Sequence, residues 1–426
     1  MRIIKIGNRN ILSTGSLLLI VALLSFLIPT RGMIMGLSSA NLLVMCCVCA
    51  TVVFHKKPKY IPLFYWIYFI DMVICMIHHY SDRYPYVHFI EITQIIGLVY
   101  LTIISIRTKR DFNKIIDFII FLFTIYAIFG IIESVGKFNI FDALTGTQVV
   151  YDYANGLRFG LARSRGACGT SINNGMLLVM ILCLVTYRIF NSERKRWQYN
   201  FSYIIIFINC FCTLSRAVWL EVCISQFLFF LIQRPGKQIK IIAKIFAGVV
   251  CVAVLVLIIQ PNVVFSINTI INDMIESIIG TLMGNSTSTV GDEGDRLLLW
   301  GWIWQTVKDS ALWGLGYATK FSYLTPAGYV KQSIEVMWLY RLYQIGFVGL
   351  VGYIFLQVSC LVYFGTNWLK EKLKQENLDF NCMMFILCIA YFITQFSCAG
   401  SEDLRFFYFM LGLAFSFNKI RREEID

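Results

Sequence analysis

Apolar residues follow one another for about 18 or more positions at a time along almost the whole sequence, separated by short polar segments. At 1.5 Å per residue such a run crosses a hydrocarbon core roughly 30 Å thick as a helix. The runs lack the alternation of a barrel strand, and lipid offers no water to backbone groups, so helix is the expected form. The pattern predicts spans near 10–29, 32–54, 60–79, 87–106, 115–135, 172–190, 199–215, 217–233, 241–260, 336–364, 380–399 and 403–418. The expected fold is therefore an all-α integral membrane protein of about twelve transmembrane helices. No tandem repeat or low-complexity domain is visible, so 1–426 reads as a single polytopic membrane domain.

Composition agrees with the pattern: 58% of the 426 residues are hydrophobic, 15% aromatic and only 15% charged. The formal net charge of +12 suits a nucleic-acid partner only if the basic residues cluster on one water-facing domain. They sit in short loops instead, so no nucleic acid is expected. With both chain ends in the cytoplasm, the inner segments hold 24 of the 37 lysines and arginines, and every inner loop is basic. The first apolar run follows Arg2, Lys5 and Arg9 like a signal sequence, but no small-residue cleavage site precedes a soluble domain, so it reads as the first span. Most of the fourteen cysteines fall inside apolar runs and read as buried thiols; Cys168 is the one clearly in an outer loop.

Two outer segments are long, 136–171 and 261–335, and function is expected there because the other outer connections only turn the chain. In the second, which lies between spans nine and ten and reads as a functional lid, a polar stretch around Gly284–Gly294 leads to Asp295, a candidate N-cap. The apolar run that follows carries Trp300, Trp302 and Trp304, the composition of a helix lying at the outer interface.

Seven outer arginines run against the topological preference for charge inside: Arg158, Arg163, Arg165, Arg216, Arg296, Arg341 and Arg405. Each alone could snorkel or pair with an acid such as Glu335, Glu402 or Asp403. Together, at one membrane depth and with glycines nearby, they make a forked site for phosphate or pyrophosphate. Glu335 is a candidate general base if burial raises its pKa, and equally a partner for Arg341 or Lys331. Asp292, Glu293 and Asp295 read as loop solvation and helix capping, and neither a metal nor a cofactor is expected. Asp71, Glu91 and Glu221 fall within spans and should face the bundle interior or each other, lining a groove or carrying an ion. His78 and His79 read as interfacial packing groups with a reserve role as a base. Asn285-Ser-Thr287 matches a glycosylation acceptor too short to weigh.

Four local patterns carry a resemblance. Arg163-Ser-Arg-Gly166 is followed by Asn173-Asn174-Gly175, with Arg158 and Gly169 ten residues apart. Leu214-Ser-Arg216 precedes Trp219. Arg296-Leu-Leu-Leu-Trp300 precedes Gly314-Leu-Gly316, and Glu335 is followed by Leu339, Gly346 and Gly349. In this order and placement the chain resembles the polytopic O-antigen polymerases and ligases, which build bacterial surface polysaccharides from undecaprenyl-pyrophosphate-linked sugars. The resemblance implies an enzyme of the bacterial cytoplasmic membrane that needs no metal or cofactor. It further implies Arg216 and Arg296 on the donor pyrophosphate, Arg163 assisting, and Glu335 beside the acceptor. Partners would be lipid-linked donor and acceptor glycans, membrane lipid and a chain-length regulator. The ligases of this family carry a histidine near the place of Glu335; 261–335 has none, which favours a polymerase. A flippase or transporter of lipid-linked sugars is the rival of another class, and the internal repeat it should show is not evident.

Overall fold

The computed structural model describes residues 3–6, 9–24, 33–34, 37–38, 46, 60–79, 85–144, 157–158, 161–192, 196–232, 293–316, 319, 321–324, 330–331, 334, 336–372, 378–396 and 402–425. Among these the chain is mostly helical: α1 (Thr14–Leu24), α2 (Leu63–His78), α3 (Pro85–Ser105), α4 (Lys109–Gly136), α5 (Ile140–Leu144), α6 (Ser171–Asn191), α7 (Arg196–Cys212), α8 (Arg216–Ile232), α9 (Glu293–Val307), α10 (Met337–Lys372), α11 (Phe380–Thr394) and α12 (Glu402–Ile425). Short antiparallel hairpins join Ile3–Ile6 to Arg9–Ser13, Met33–Ile34 to Leu37–Ser38, Leu157–Arg158 to Leu161–Ala162 and Tyr323–Leu324 to Val330–Lys331.

Three helices are long and apolar enough to cross a membrane by length and composition: Lys109–Gly136, Ser171–Asn191 and Met337–Lys370. Others overlie the expected spans closely, with two departures near the start. The first helix opens at Thr14 rather than near 10, because the isoleucine-rich 3–6 and 9–13 segments pair as strands. The expected 32–54 span begins with a two-residue hairpin at 33–38, and almost all of its remainder lies outside the described residues, as does 241–260.

Contacts sort the helix ends into two groups. At one end the last turns of α4 and α7 meet the first turn of α6, with Ser164 N donating to Cys212 O and Asn174 Nδ2 to Ser164 O. At the opposite end the first turn of α4, the last turn of α6, the start of α11 and the last turns of α12 line one cavity. Helix α6 is the central pole: its apolar side chains from Met176 to Val185 are all buried, and α4, α7, α8, α11 and α12 surround it. The outward faces are also apolar, in stripes at helical spacing such as Phe121, Ile125, Ile128 and Ile132 on α4, or Val351, Phe355, Val358 and Val362 on α10. A water-soluble bundle would not leave such stripes open; lipid covers them.

The expected continuous span 336–364 is broken. Gly346 has φ 62° and ψ −161°, which no helix accommodates. Met337 N donates to Gln395 O, and the Arg341 guanidinium lies 5.3 Å from the centroid of the Tyr353 ring. Residues 337–345 therefore run back alongside 347–357 as the two arms of a V. The second arm, 347–370, is still about 36 Å long at 1.5 Å per residue, enough to span. A strap at 311–316 takes up the backbone groups freed at the break: Leu315 N and Gly316 N donate to Tyr343 O and Gln344 O, while Phe347 N and Val348 N donate to Ala311 O and Leu312 O. Gly314 and Gly346 face each other so closely that a Cβ on either would strike the other's backbone nitrogen.

Candidate functional site

Loop 163–168 is held at every step. Glu133, near the end of α4 and 1% exposed, accepts from Arg165 N at 3.0 Å and Gly166 N at 2.9 Å through Oε2, and from Asn139 Nδ2 at 2.8 Å through Oε1. Tyr126, two turns earlier on α4, accepts from Ala167 N and donates to Asn174 Oδ1. Gly166 has φ +52°, and a Cβ there would collide with the Tyr126 hydroxyl, so the loop needs glycine at this point. The Arg165 guanidinium turns inward to Asp142 Oδ2 at 3.0 Å, with Glu133 at 3.9 Å. Cys168 is buried in the same cluster, 3.9 Å from the Tyr126 hydroxyl.

What this anchoring leaves at the edge is Arg163, half-buried, whose Nε donates to Thr213 O at 3.3 Å. Thr213 belongs to the tight turn between α7 and α8, where Leu214 adopts a left-handed φ of 50° that costs roughly 1–2 kcal/mol in a non-glycine residue. The turn persists because Leu214 N bonds Phe211 O and Cys212 O receives Ser164 N. It puts Arg216, exposed, at the first position of α8, three residues from the carbonyl that Arg163 holds. Two of the expected arginines thus share one turn.

The others gather at the same end. Arg341 lies on the first arm of α10, 2% exposed, beside Tyr353, whose hydroxyl donates to Gln395 Oε1, as does Gln357 Nε2. Arg405 is buried in the first turns of α12. Arg158 lies on a hairpin strand and Arg296 in the first turns of α9, with neither side chain among the described residues. Glu335 is outside the described residues, as are Glu402 and Asp403 at their side chains. Helix α9 opens at Glu293, so Asp295 stands inside its first turn and does not cap it. Leu299, Ile303 and Val307 bury one face of α9 against Tyr323, Ile334, Val336, Leu339 and Tyr343, while Trp300 and Trp304 stay exposed. The α9 segment, the strap and the first arm of α10 therefore form one packed unit at this end, where the sequence leads to the expectation of a lid.

Residues 201–354 match the O-antigen ligase family. The matched segment covers 154 of 426 residues and takes in the α7–α8 turn, α9, the strap and the break in α10, and it supports the O-antigen polymerase and ligase superfamily. No curated protein matches the chain. The match thus falls on a helical bundle whose outward faces are apolar and which holds three helices long enough to cross a membrane.

Within this O-antigen ligase-like frame, some polar groups are structural. His79 Nε2 lies 2.7 Å from Trp313 O and His78 stacks on the Trp313 ring at 4.2 Å, so both hold the strap to α2. Glu221 is fully buried in α8, near Cys183 and Cys210, and Asp71 abuts Gly352 of α10, so both face the interior as expected for acids in spans. The Glu91 side chain and Asn285-Ser-Thr287 lie outside the described residues. Among the described residues there is no cluster of metal-ligating side chains. The anchors Tyr126, Glu133, Asn139 and Asp142 escaped sequence reasoning, whereas Asn174 stood in the Asn173-Asn174-Gly175 pattern without a role. An acid at the outer end of the apolar 115–135 run was the available signal for Glu133, and one carboxylate cannot reveal which loop it serves.

Proposed function

We propose that the chain is a polymerase joining undecaprenyl-pyrophosphate-linked oligosaccharide repeat units into a surface polysaccharide on the outer face of the cytoplasmic membrane. The observation that carries this reading is the gathering of arginines at one end of the bundle, with Arg163 and Arg216 on one turn of the family-matched segment. An acceptor hydroxyl attacks the anomeric carbon of the donor glycan, the bond from that carbon to the pyrophosphate oxygen breaks, and the lipid pyrophosphate departs with the bonding electrons. Arg216 and Arg296, assisted by Arg163, stabilise the charge that develops on the leaving group. The hydroxyl proton passes to a base, for which Glu335 is the candidate. Arg158, Arg165 and Arg341 complete the cationic surroundings, Arg165 by holding its loop through Asp142.

A ligase moving a finished glycan to another acceptor shares this donor chemistry, and the description of the matching family favours it. The lack of histidine in 261–335 favours the polymerase. Purified protein incubated with an undecaprenyl-pyrophosphate oligosaccharide should give a ladder of longer glycans. Arg216→Ala and Arg296→Ala should each lower its rate by about 10²- to 10³-fold, the usual effect of removing one charge-stabilising donor. An unchanged ladder in both variants sinks the site. Single transfer to a different acceptor identifies a ligase, and movement across the bilayer without a new glycosidic bond identifies a transporter.

A further inference from the structure

The opposite end of the bundle holds a cavity of about 260 Å³ that the proposed chemistry does not use. Lys109, Asn113 and Phe112 come to it from the first turn of α4, Tyr187, Arg188 and Asn191 from the last turn of α6, and Phe417, Ile420 and Arg421 from the end of α12. Leu378 and Asp379, at the start of α11, close it. The lining thus carries three cations against one carboxylate. It has two layers. Phe112, Phe417 and Tyr187 pack about Phe380 with ring centroids 5.0 to 5.4 Å apart and make an apolar floor, while the charged and amide groups stand around it.

Two of the three cations have fixed partners. Arg188, with a side chain only 11% exposed, donates to Asn113 Oδ1 at 2.8 Å and Tyr199 Oη at 3.1 Å and pairs with Asp117 at 2.9 Å. Its buried Nε finds no acceptor among the described residues. Asn191 is fixed by donating to Tyr187 O and Leu378 O. Asp379 accepts from Asn381 Nδ2 at 3.1 Å and pairs with Arg421 Nη1 at 3.8 Å. Helices α4 and α11 both begin here, and their N-terminal dipole ends add positive potential.

We propose that this cavity binds a phosphate group, with Lys109, Arg188 and Arg421 as its cationic walls and the aromatic floor beneath. The charge count assigns this end to the cytoplasm, so the phosphate has two sources: the headgroup of an anionic lipid of the inner leaflet, or a free phosphate ion from solution. The layered lining suits the first, since a glycerophospholipid presents its phosphodiester directly above apolar glycerol ester carbons. Binding there would tie α4, α6, α11 and α12 together at the end away from the lid.

The test uses the full chain in nanodiscs of phosphatidylcholine with graded phosphatidylglycerol, read by thermal unfolding and by native mass spectrometry of retained lipid. Lys109→Gln/Arg421→Gln removes two walls without touching the half-buried Arg188–Asp117 pair. Arg110→Gln/Lys114→Gln makes the same charge change on exposed positions of α4 outside the cavity. Each wall cation removed should weaken phosphatidylglycerol binding by about fivefold. Stabilisation and retention in the parent and in the 110/114 variant, lost in the 109/421 variant, establish the lipid headgroup. An equal stabilisation by millimolar inorganic phosphate in pure phosphatidylcholine, lost in the same variant, establishes the free ion. No response to either probe, or equal loss in both variants, overturns the proposal.

Discussion

Glu133 satisfies two backbone donors of the 163–168 loop and the Asn139 amide, and lies within reach of Arg165, while itself almost out of contact with solvent. A buried carboxylate is costly unless its lone pairs are filled, and here the loop fills them. Glu133→Gln keeps the shape and exchanges one acceptor oxygen for a donor, so that either the two loop N–H groups or the Asn139 amide faces a donor in place of its acceptor. It should lower unfolding stability by about 2 kcal/mol. Because the loop positions Arg163, the proposed polymerising activity should fall with it. Denaturation in detergent alongside the ladder assay checks both, and a variant with parent stability would show that the loop does not depend on this carboxylate. Tyr126→Phe removes the acceptor of Ala167 N and the donor to Asn174, and the same measurement should place its loss at about 1–3 kcal/mol.

At the scale of elements, the contact between strap and α10 depends on two glycines. Gly346→Ala and Gly314→Ala each place a methyl group against backbone and force a residue with a side chain into a positive φ. Either should release the 311–316 strap and the 337–345 arm while the bundle stays folded. Hydrogen exchange at Leu315, Gly316, Phe347 and Val348 should rise by an order of magnitude or more, with protection in α6 unchanged. Trp313→Ala, which removes the ring under His78, should give a smaller rise in the same segment. The sequence shows why most elements were legible and this one was not. Apolar length determines a span, so α4 and α6 fall where hydropathy puts them. The run through 336–364 stays apolar across Gly346, and hydropathy is blind to a reversal made by one dihedral pair. The spacing of Gly314, Gly316, Gly346 and Gly349 was visible, but that 314 and 346 touch is a fact of tertiary packing.

Across the whole molecule the charges divide by end. Lys109, Arg110, Lys114, Arg188, Arg196, Lys419, Arg421 and Arg422 lie toward the cavity end, whereas Arg163, Arg165, Arg216, Arg341 and Arg405 lie toward the lid end. The loop charge count expects the first group in the cytoplasm. A cysteine at Lys137, just past α4, should therefore react with a membrane-impermeant maleimide in intact cells. One at Lys114 should react only after lysis, both measured over the labelling of the parent. The reverse pattern would turn the bundle over and remove the outward-facing site. The seven outer arginines were legible because they offend a topological preference. Their inward partners were not, because a salt bridge such as Arg165 to Asp142 joins residues that sequence spacing does not relate.

The strap meets α10 almost wholly through main-chain amides and carbonyls, with two residues that carry no side chain at the point of nearest approach. A joint of that kind is indifferent to most of its own sequence. Substitutions at Leu312 of the strap or at Trp304 of α9, both exposed, alter what this segment displays and leave the amide pairings that fix its height. Lid chemistry and lid position are in this sense separately inherited. Under the proposed function, a change of glycan would be sought first in the exposed side chains of this segment, such as Leu312, and least in the two glycines.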